Sequence, residues 1–363
     1  QTSRQLWPEK SDRVAVNGGV DADALAGTQF AYDLWIKPTV SCTSFDPASE
    51  PGWVYDPVDN AGGVRCALQD FQKQIFGTRP PSVWGPIESQ LGRGFANSPL
   101  DNVGVQYGLE VLKQGMLSPE QFVDLNLKVG GADIDGNWTS QRAEANREGL
   151  ANLYRSGQVN DGSLLDQVPI VHTRTYNPLD YFHPMIGTAI VRERLLAANG
   201  HADNLVDWAV VDDGRYPMNR AAFLTVDKWL AGMEADRSNA PLEDKVLRHK
   251  PAEAQDTCWA DGQPGVECPE EFRYPKMVAG GPVASDIMKC QLKPIDWNDY
   301  GAVQFTADQK QRLQQAFPEG VCDWSKPGVE QQPAVGTWLT FASRVGGEPL
   351  GTEPKSTAVV GQP

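Results

Sequence analysis

The 363-residue chain carries 32 lysine and arginine residues against 47 aspartate and glutamate residues, so its net charge is −15 and its pI is near 4.7. Such an acidic surface repels phosphate backbones and anionic lipids, which argues against nucleic acids and membrane surfaces as partners. Apolar residues make up 40% of the chain, enough for a large core, but no apolar run is long enough to span a bilayer.

Residues 1–157 are predicted to form a loop- and helix-rich region, a lid or insertion. Turn signals such as Asp46-Pro and Asn60-Ala-Gly-Gly crowd its first third. Ser118-Pro-Glu-Gln121 has the pattern of a helix start, with an N-cap serine, proline in the first turn and glutamine at the capping-box position. Helices are predicted over 21–33, 64–76, 101–114, from Ser118 onward, and over 139–156.

The pattern then changes to α/β over residues 158–240. Strands are predicted at 168–173 and 205–211, with a helix from 183 or 184 to 199 between them and a second helix over 217–236. Two strands joined through a helix form one right-handed crossover of a parallel sheet. A parallel sheet needs several strands and both faces covered, so we expect another chain to complete it.

Residues 241–345 are predicted to be a disulfide-stapled, loop-rich region with short helices and a few β segments, and 346–363 are predicted to be a flexible tail. Six cysteines occur without a CxxC pair or a histidine at metal-ligand spacing, which argues against zinc. Their even number and close spacing favour disulfides between sequence neighbours in a secreted or periplasmic protein, the alternative being buried thiols in a cytosolic enzyme. The predicted pairs are Cys42–Cys66, Cys258–Cys268 and Cys290–Cys322.

An acidic loop precedes the predicted helix at 139. Its oxygen-bearing side chains stand at positions 1, 3, 5, 7 and 12 of an EF-hand-like spacing, although the glycine required at position 6 is Trp138. The predicted calcium ligands are Asp133, Asp135, Asn137, Thr139 and Glu144. The alternative is a turn rich in aspartate and asparagine that caps the helix. No cofactor other than calcium is indicated.

Several segments resemble one bacterial family. They are YDPVDNAGGVRCALQDF (55–71), FANSPLDNVGVQYGLEVL (95–112), QFVDLNLKVGGADIDGNW (121–138), CQLKPIDWNDY (290–300) and FPEGVCDWSKPGV (317–329). They look like the C-terminal half of an uncharacterised exported family with an α/β-hydrolase-like fold, distantly similar to tannases and hydroxybutyrate-oligomer hydrolases. The resemblance covers most of residues 50–330 and implies an ester hydrolase.

That resemblance places the serine nucleophile in an N-terminal half, and this chain contains no G-x-S-x-G motif. In α/β-hydrolases the triad runs serine, acid, histidine along the sequence, so this chain would carry the last two. Asp180 follows the strand at 168–173, and Asp212 and Asp213 follow the strand at 205–211. No histidine follows the second strand, so His183, which matches the family's histidine, is the predicted base.

The other histidines are predicted to be structural. His172 lies on an apolar strand, where the family more often has an acid, and is predicted to be a satisfied core residue. His201 and His249 are predicted to be solvated.

We therefore expect the C-terminal part of an exported carboxylic ester hydrolase acting on a small-molecule or oligomeric ester. A companion chain cut from the same precursor would supply the serine and the missing strands, an idea also suggested by the first residue, Gln1. The alternative is a non-catalytic binding or structural subunit that keeps the fold. An N-terminal-nucleophile amidase is disfavoured because residue 1 is not serine, threonine or cysteine.

Overall fold

A computed structural model of the chain describes residues 6–7, 9–18, 36–39, 42, 51–176, 186–212, 215–268 and 273–334. The predicted helix over 21–33 and the predicted tail 346–363 lie outside these ranges. So do three predicted site residues, Asp180, His183 and Asp213.

The helices and strands form two groups, one mainly helical and one built around a mostly parallel sheet. The helices are α1 (Lys10–Val16), α2 (Leu68–Phe71), α3 (Lys73–Phe76), α4 (Pro86–Leu91), α5 (Leu109–Lys113), α6 (Pro119–Lys128), α7 (Arg147–Arg155), α8 (Gly187–Asn199), α9 (Arg215–Ala235), α10 (Leu242–Arg248), α11 (Pro275–Val278) and α12 (Ala307–Ala316). The strands are β1 (Gly131–Ala132), β2 (Trp138–Thr139), β3 (Ile170–Thr175), β4 (Leu205–Val210), β5 (Thr257–Ala260), β6 (Gln263–Val266), β7 (Gln291–Lys293) and β8 (Val321–Asp323).

The helical region, which we define as residues 51–157 together with 273–334, packs around α6. Phe122 of α6 is fully buried between Leu112 of α5 and Leu313 of α12 in one apolar cluster, and Tyr300 meets the Phe122 ring edge-on. The helix starts as predicted, because the Ser118 hydroxyl accepts the amide of Gln121 and the Gln121 side chain accepts the amide of Ser118.

Three predicted helices of this region are shorter in the structure. The segment 101–114 is helical only over α5, because Gly104 and Gly108 adopt the left-handed backbone at φ 77° and 82°. A Cβ at Gly104 would lie 2.4 Å from the Leu292 side chain, so this turn is set by tertiary packing. In the segment 64–76, Val64 forms a β-bridge and only α2 and α3 are helical. In the segment 139–156, the helix is limited to α7.

The sheet region, which we define as residues 165–268, contains a four-stranded sheet in the order β3-β4-β5-β6. The predicted crossover is confirmed, since β3 pairs in parallel with β4 through the connecting helix α8. A third parallel strand, β5, pairs with β4, and β6 returns antiparallel beside it. The sequence located only β3 and β4. The strands β5 and β6 come from the loop-rich C-terminal region, where β segments were expected without positions.

Helices cover both faces of this sheet, as an α/β fold requires. On one face Leu195 of α8 packs with Leu205 of β4 and Ile170 of β3. On the other face Trp229 of α9 is fully buried in a cluster that includes Val206 of β4. The helix α8 ends as predicted at Gly200, whose φ is 77°.

The three predicted disulfides are confirmed. Cys42 bonds to Cys66, Cys258 to Cys268 and Cys290 to Cys322, and the described residues include no free cysteine. The second bridge ties β5 to Cys268, just beyond β6, and the third ties Cys290, directly before β7, to β8. Disulfides of this kind suit an oxidising compartment.

Candidate active site

The carboxyl ends of the parallel strands meet at one edge of the sheet, which is where open α/β sheets place their ligands. The chain leaves β3 after Thr175, and the Tyr176 amide still donates to the Val210 carbonyl at 2.7 Å. Residues 177–185 follow immediately, with Asp180 and His183 among them. These two predicted site residues therefore follow a strand that ends at the expected edge, and their own positions lie outside the described residues.

Asp212 is the one predicted acid within the described residues. It follows the central strand β4, after Val211 has donated its amide to the Trp259 carbonyl of β5 at 2.9 Å. The carboxylate Oδ2 of Asp212 accepts the backbone amide of Asp261, the first residue after β5. Asp212 is thus held at the carboxyl edge by the neighbouring strand, while Asp213, next in the chain, lies outside the described residues.

A polar cluster on the α8 face of the sheet was not predicted as a unit. The Arg174 guanidinium binds the Asp207 carboxylate with both Nε and Nη2, at 2.9 and 2.6 Å. The Thr188 hydroxyl donates to Asp207 Oδ1 at 3.0 Å and also contacts Nδ1 of His172. The Thr188 hydroxyl has one proton, which it donates to Asp207. In the contact between Thr188 and His172, the proton must therefore be on His172 Nδ1.

Burial favours the neutral form of His172 over the protonated form. Burial lowers the pKa of His172, the charge of Asp207 opposes that shift, and Arg174 adds to it. With its proton on Nδ1, the imidazole points its basic nitrogen away from Thr188. The expectation of a satisfied strand histidine agrees with this geometry. A signal for the cluster was present in the sequence, because Asp207 interrupts the apolar run LVDWAVV and a charge there needs a partner.

The remaining two histidines differ from the expectation of free solvation. His249 Nε2 lies 3.0 Å from Asp236 Oδ2 and closes the end of α9 onto α10. Nδ1 of His201 is buried without a described hydrogen-bond partner. Both residues come before a parallel strand, His201 before β4 and His249 before β5, and so do not follow the carboxyl end of a strand.

The five predicted calcium ligands are not gathered around one point. The Asp133 carboxylate accepts the amides of Asp135 and Asn137 at 2.9 and 2.8 Å, which is the geometry of the alternative, a turn closed by an aspartate. Asp135 instead pairs with Arg65 at 2.5 Å, and Glu144 pairs with Lys289 at 3.2 Å. Thr139 lies in β2 and donates to the Gln141 carbonyl.

No cluster of three or more His, Cys, Asp or Glu side chains suited to a metal ion occurs within the described ranges. The acidic loop in this structure does not fit calcium, because the Arg65 guanidinium already pairs with the Asp135 carboxylate that would bind the cation. A calcium requirement stays a prediction, which melting curves with and without a chelator would check.

The segments that carry the family resemblance build the helical region. Asn126 accepts the amide of Tyr107 and donates to its carbonyl, both at 3.0 Å, and so locks two of these segments together. The Asp101 carboxylate accepts the amide of Ala145 and pairs with Lys289 at 2.8 Å. Their role in the structure is therefore to tie loops, which explains why they identify a family without pointing to chemistry.

Among the described residues, three cavities lie in or beside this same helical region. The first, of about 430 Å³, is lined mainly by apolar side chains such as Leu100 and Leu125, and the second, of about 360 Å³, is lined by Arg142 and Phe317 among others. The third, of about 220 Å³, lies beside Arg65 and Arg93. None of these three includes a residue of the sheet.

Arg142 is bound only to neutral oxygens. It donates to the carbonyls of Asn102, Val105 and Asn126 at 2.8–3.0 Å, and burial lowers its pKa to about 10. Because the Asn126 carbonyl belongs to the last turn of α6, the partial negative charge of that helix end compensates the guanidinium. Arg142 thus ties its own loop to the loop at 102–105 and to the end of α6, and needs no bound anion.

The comparisons with known proteins give one match. A family model described as a tannase-like family of unknown function (DUF6351) matches residues 2–333. No curated protein and no solved structure matches the chain. Within the described ranges, every helix is too short or too polar to pass through a membrane.

Proposed function

Because this chain belongs to the tannase-like family DUF6351, we propose that it is the histidine- and acid-bearing part of an exported carboxylic ester hydrolase. The observation that carries the proposal is the carboxyl edge of the parallel sheet. Two adjacent strands, β3 and β4, end there, and the first leads into the segment with His183 while the second leads into Asp212. The serine would come from a companion chain of the same precursor.

The proposed reaction is acyl transfer. The companion's serine attacks the ester carbonyl while His183 takes the serine proton, and the protonated His183 then donates that proton to the departing alcohol. Water next attacks the acyl-serine and gives its proton to His183; the bond to the serine oxygen then breaks, His183 returns the proton to that oxygen, and the acid product leaves. A carboxylate holds the imidazole in the orientation that this cycle requires.

Three carboxylates are candidates for that orienting role, Asp180, Asp212 and Asp213. Asp212 is favoured because it follows the central strand and because the Asp261 amide fixes its carboxylate at the edge. Asp180 stands only three residues from His183. A carboxylate contributed by the neighbouring strand reaches an imidazole across the edge without a tight turn, as in other triads.

The decisive experiment is the His183→Ala substitution in the native complex, assayed with p-nitrophenyl butyrate. We expect kcat to fall by about 10³-fold or more, because the base and acid of the cycle are removed. His249→Ala serves as the matched control and should keep its activity. Unchanged turnover in His183→Ala would reject the proposal.

The acids are separated by Asp180→Asn, Asp212→Asn and Asp213→Asn, which keep size and remove charge. We expect Asp212→Asn to lose kcat by about 10²- to 10⁴-fold, as when the orienting carboxylate of a triad is neutralised. A large loss in Asp180→Asn or Asp213→Asn instead would reassign the role.

A non-catalytic binding subunit is the second candidate. The absence of G-x-S-x-G from the 363 residues favours it, as does the lack of a histidine directly after the strand β4. It predicts that the native complex binds an ester without turnover. Hydrolysis that survives purification and is lost in His183→Ala decides for the enzyme.

A further inference from the structure

We propose that the β5–β6 hairpin positions the Asp212 carboxylate, and that the disulfide between Cys258 and Cys268, which closes this hairpin, makes that positioning sensitive to reduction. The inference rests on the proposed function for the part that Asp212 plays in catalysis. Its structural claim, that the hairpin turn and the bridge hold this carboxylate in place, is separate and is tested without an activity assay.

The turn of the hairpin has a defined shape. Ala260 pairs with Gln263 across the two strands, so the loop between them consists of Asp261 and Gly262 alone. Both loop residues have a positive φ, 50° and 73°. Asp-Gly with positive φ at both positions is a favoured two-residue hairpin turn, because its twist matches that of the flanking strands. This shape fixes the direction in which the Asp261 amide points.

The turn contacts both ends of the connection between β4 and α9. The Asp261 amide donates to Oδ2 of Asp212, which follows β4. On the other side, a Cβ at Gly262 would lie 3.2 Å from Cγ of Pro217, in the first turn of α9. Because the donor is a backbone amide, the place of the Asp212 carboxylate depends on the place of the whole turn.

The outer strand of the hairpin gains little stability from burial. All four residues of β6 are exposed, whereas Cys258 and Trp259 of β5 are buried. A hairpin arm of this kind is marginally stable through its backbone hydrogen bonds alone. Two further links join the arms, the Gly265 amide donating to the Thr257 hydroxyl at 2.9 Å and the disulfide from Cys258 to Cys268. The disulfide is the covalent one, so opening it lets β6 and the turn move away from β4.

This disulfide is also the most accessible of the three. Cys268 is exposed, although its partner Cys258 is 0% exposed. The four cysteines of the other two bridges are at most 5% exposed. The rate of thiol–disulfide exchange depends on the access of the attacking thiolate to a sulfur of the bridge. We therefore expect a dithiol to open the hairpin bridge before the other two.

Reduction passes two electrons and two protons from the dithiol to the bridge. One thiolate attacks Sγ of Cys268, the S–S bond breaks, and Sγ of Cys258 leaves and takes a proton. The second thiolate of the reagent then attacks the mixed disulfide, which closes the reagent into a cyclic disulfide and leaves Cys268 as a thiol. The hairpin then has no covalent closure, and the Asp261 amide is no longer fixed relative to Asp212.

The structural claim is tested by hydrogen exchange resolved to single amides. The protein is reduced with dithiothreitol, alkylated with iodoacetamide and freed of reagent, and peptide mapping confirms that only Cys258 and Cys268 are alkylated. We expect the Asp261 amide to exchange about tenfold faster or more after this treatment, and the Val211 amide, which donates to the Trp259 carbonyl, to keep its rate. An unchanged rate at Asp261, or alkylation of the other cysteines first, would overturn the inference.

The catalytic claim is tested by comparing reduction in two backgrounds, in the native complex. In the unaltered protein, reduction should lower kcat for p-nitrophenyl butyrate about tenfold with KM unchanged, because a displaced carboxylate orients the imidazole less well. In Asp212→Asn the same treatment should change kcat by less than about twofold, because the interaction through which the hairpin acts is already removed. An equal loss in both backgrounds would show that the hairpin does not act through Asp212.

Two glycine substitutions give a readout with the bridge intact. Gly262→Ala strains the turn and crowds Pro217, whereas Gly200→Ala imposes a similar strain, at φ 77°, where a Cβ would meet no described atom within 4 Å. We expect Gly262→Ala to lower kcat about fivefold or more and Gly200→Ala to keep it. This pair decides the matter if reduction unfolds the sheet region, and equal activity of the two variants would reject the positioning role.

The two proposals fail separately. If reduction frees the Asp261 amide while His183→Ala keeps full turnover, the hold of the hairpin on Asp212 stands and the catalytic assignment falls. If His183→Ala is inactive while reduction changes neither the exchange of the Asp261 amide nor kcat, the assignment stands and the hairpin inference falls.

Discussion

The helical region and the sheet region differ in how completely they bury themselves. In the helical region Phe122, Leu112 and Leu313 are sealed in a core, and loops are joined by side chains such as Asn126. In the sheet region β4 is buried but β3, beside it, is not. The comparison teaches that burial can be judged strand by strand, because parallel strands are normally buried on both faces and β3 is covered less than its neighbour β4 on both of them.

The largest contrast is expected from two phenylalanines, one from each region. Phe122→Ala should lower the free energy of unfolding by about 3–5 kcal/mol, since the ring is 0% exposed and its loss leaves a cavity. Phe223→Ala in the isolated chain should change it by less than about 0.5 kcal/mol. Urea unfolding followed by circular dichroism measures both, and equal costs would remove the contrast.

The buried lysine of the helical region gives the next effect. Lys276 donates to the Met288 carbonyl at 2.7 Å, and burial lowers its pKa to about 8 although Asp101 opposes that shift. Between pH 8 and 10.5 the unfolded chain holds this proton and the folded chain does not, so the free energy of unfolding should rise with pH.

We expect that rise to be on the order of 2 kcal/mol, and to be absent from Lys276→Met over the same pH range. The measured quantity is the difference in unfolding free energy between the two proteins, in which the titration of the tyrosines cancels. A difference that stays constant from pH 8 to 10.5 would contradict the lowered pKa.

A matched pair within the sheet tests the outer strand itself. Val171 of β3 lies opposite Val206 of β4 on the same face, and only Val206 is 0% exposed. Val206→Ala should cost about 2 kcal/mol of unfolding free energy and Val171→Ala about half of that in the isolated chain. Urea unfolding of both variants measures the difference, and equal costs would contradict the weaker burial of β3.

The smallest effect concerns the surface pair of α6 and α12. Arg312 binds the Glu120 carboxylate at 2.5 Å, and its hydrogen bonds lower the pKa of Glu120 to about 2. The stability from this pair is present above pH 4.5 and is lost as pH falls toward 2. Solvent screening keeps it under about 1 kcal/mol, so acid titration of Glu120→Gln beside the unaltered protein should show a small difference that salt reduces.

Local signals in the sequence predicted several elements correctly. The capping box at Ser118 gave the start of α6, and Gly200 gave the end of α8, since both depend on residues a few positions apart. The parallel pairing of β3 and β4 followed from the helix between them. The three disulfides followed from the even count and the spacing of the cysteines.

Long-range contacts decided the elements that were missed. The predicted helix at 101–114 gave way to turns because Gly104 packs against Leu292, almost two hundred positions away. The strand β5 was overlooked because TCWA is too short to show a period, and it exists through its pairing with β4. Asp135 fitted a calcium loop by spacing alone, and the structure pairs it with Arg65 instead.

The sequence by itself therefore determined the α/β class of the sheet region, the disulfides and the resemblance to a tannase-like family, and it predicted His183 with Asp180, Asp212 or Asp213 as catalytic candidates. Only the tertiary structure decided that Asp212 is fixed by the Asp261 amide, that His172 joins Asp207 through Thr188, and that β3 is an outer strand. The physical reason is that caps, crossovers and cysteine spacing are local patterns, whereas burial and hydrogen-bond partners depend on chain segments that meet only after folding.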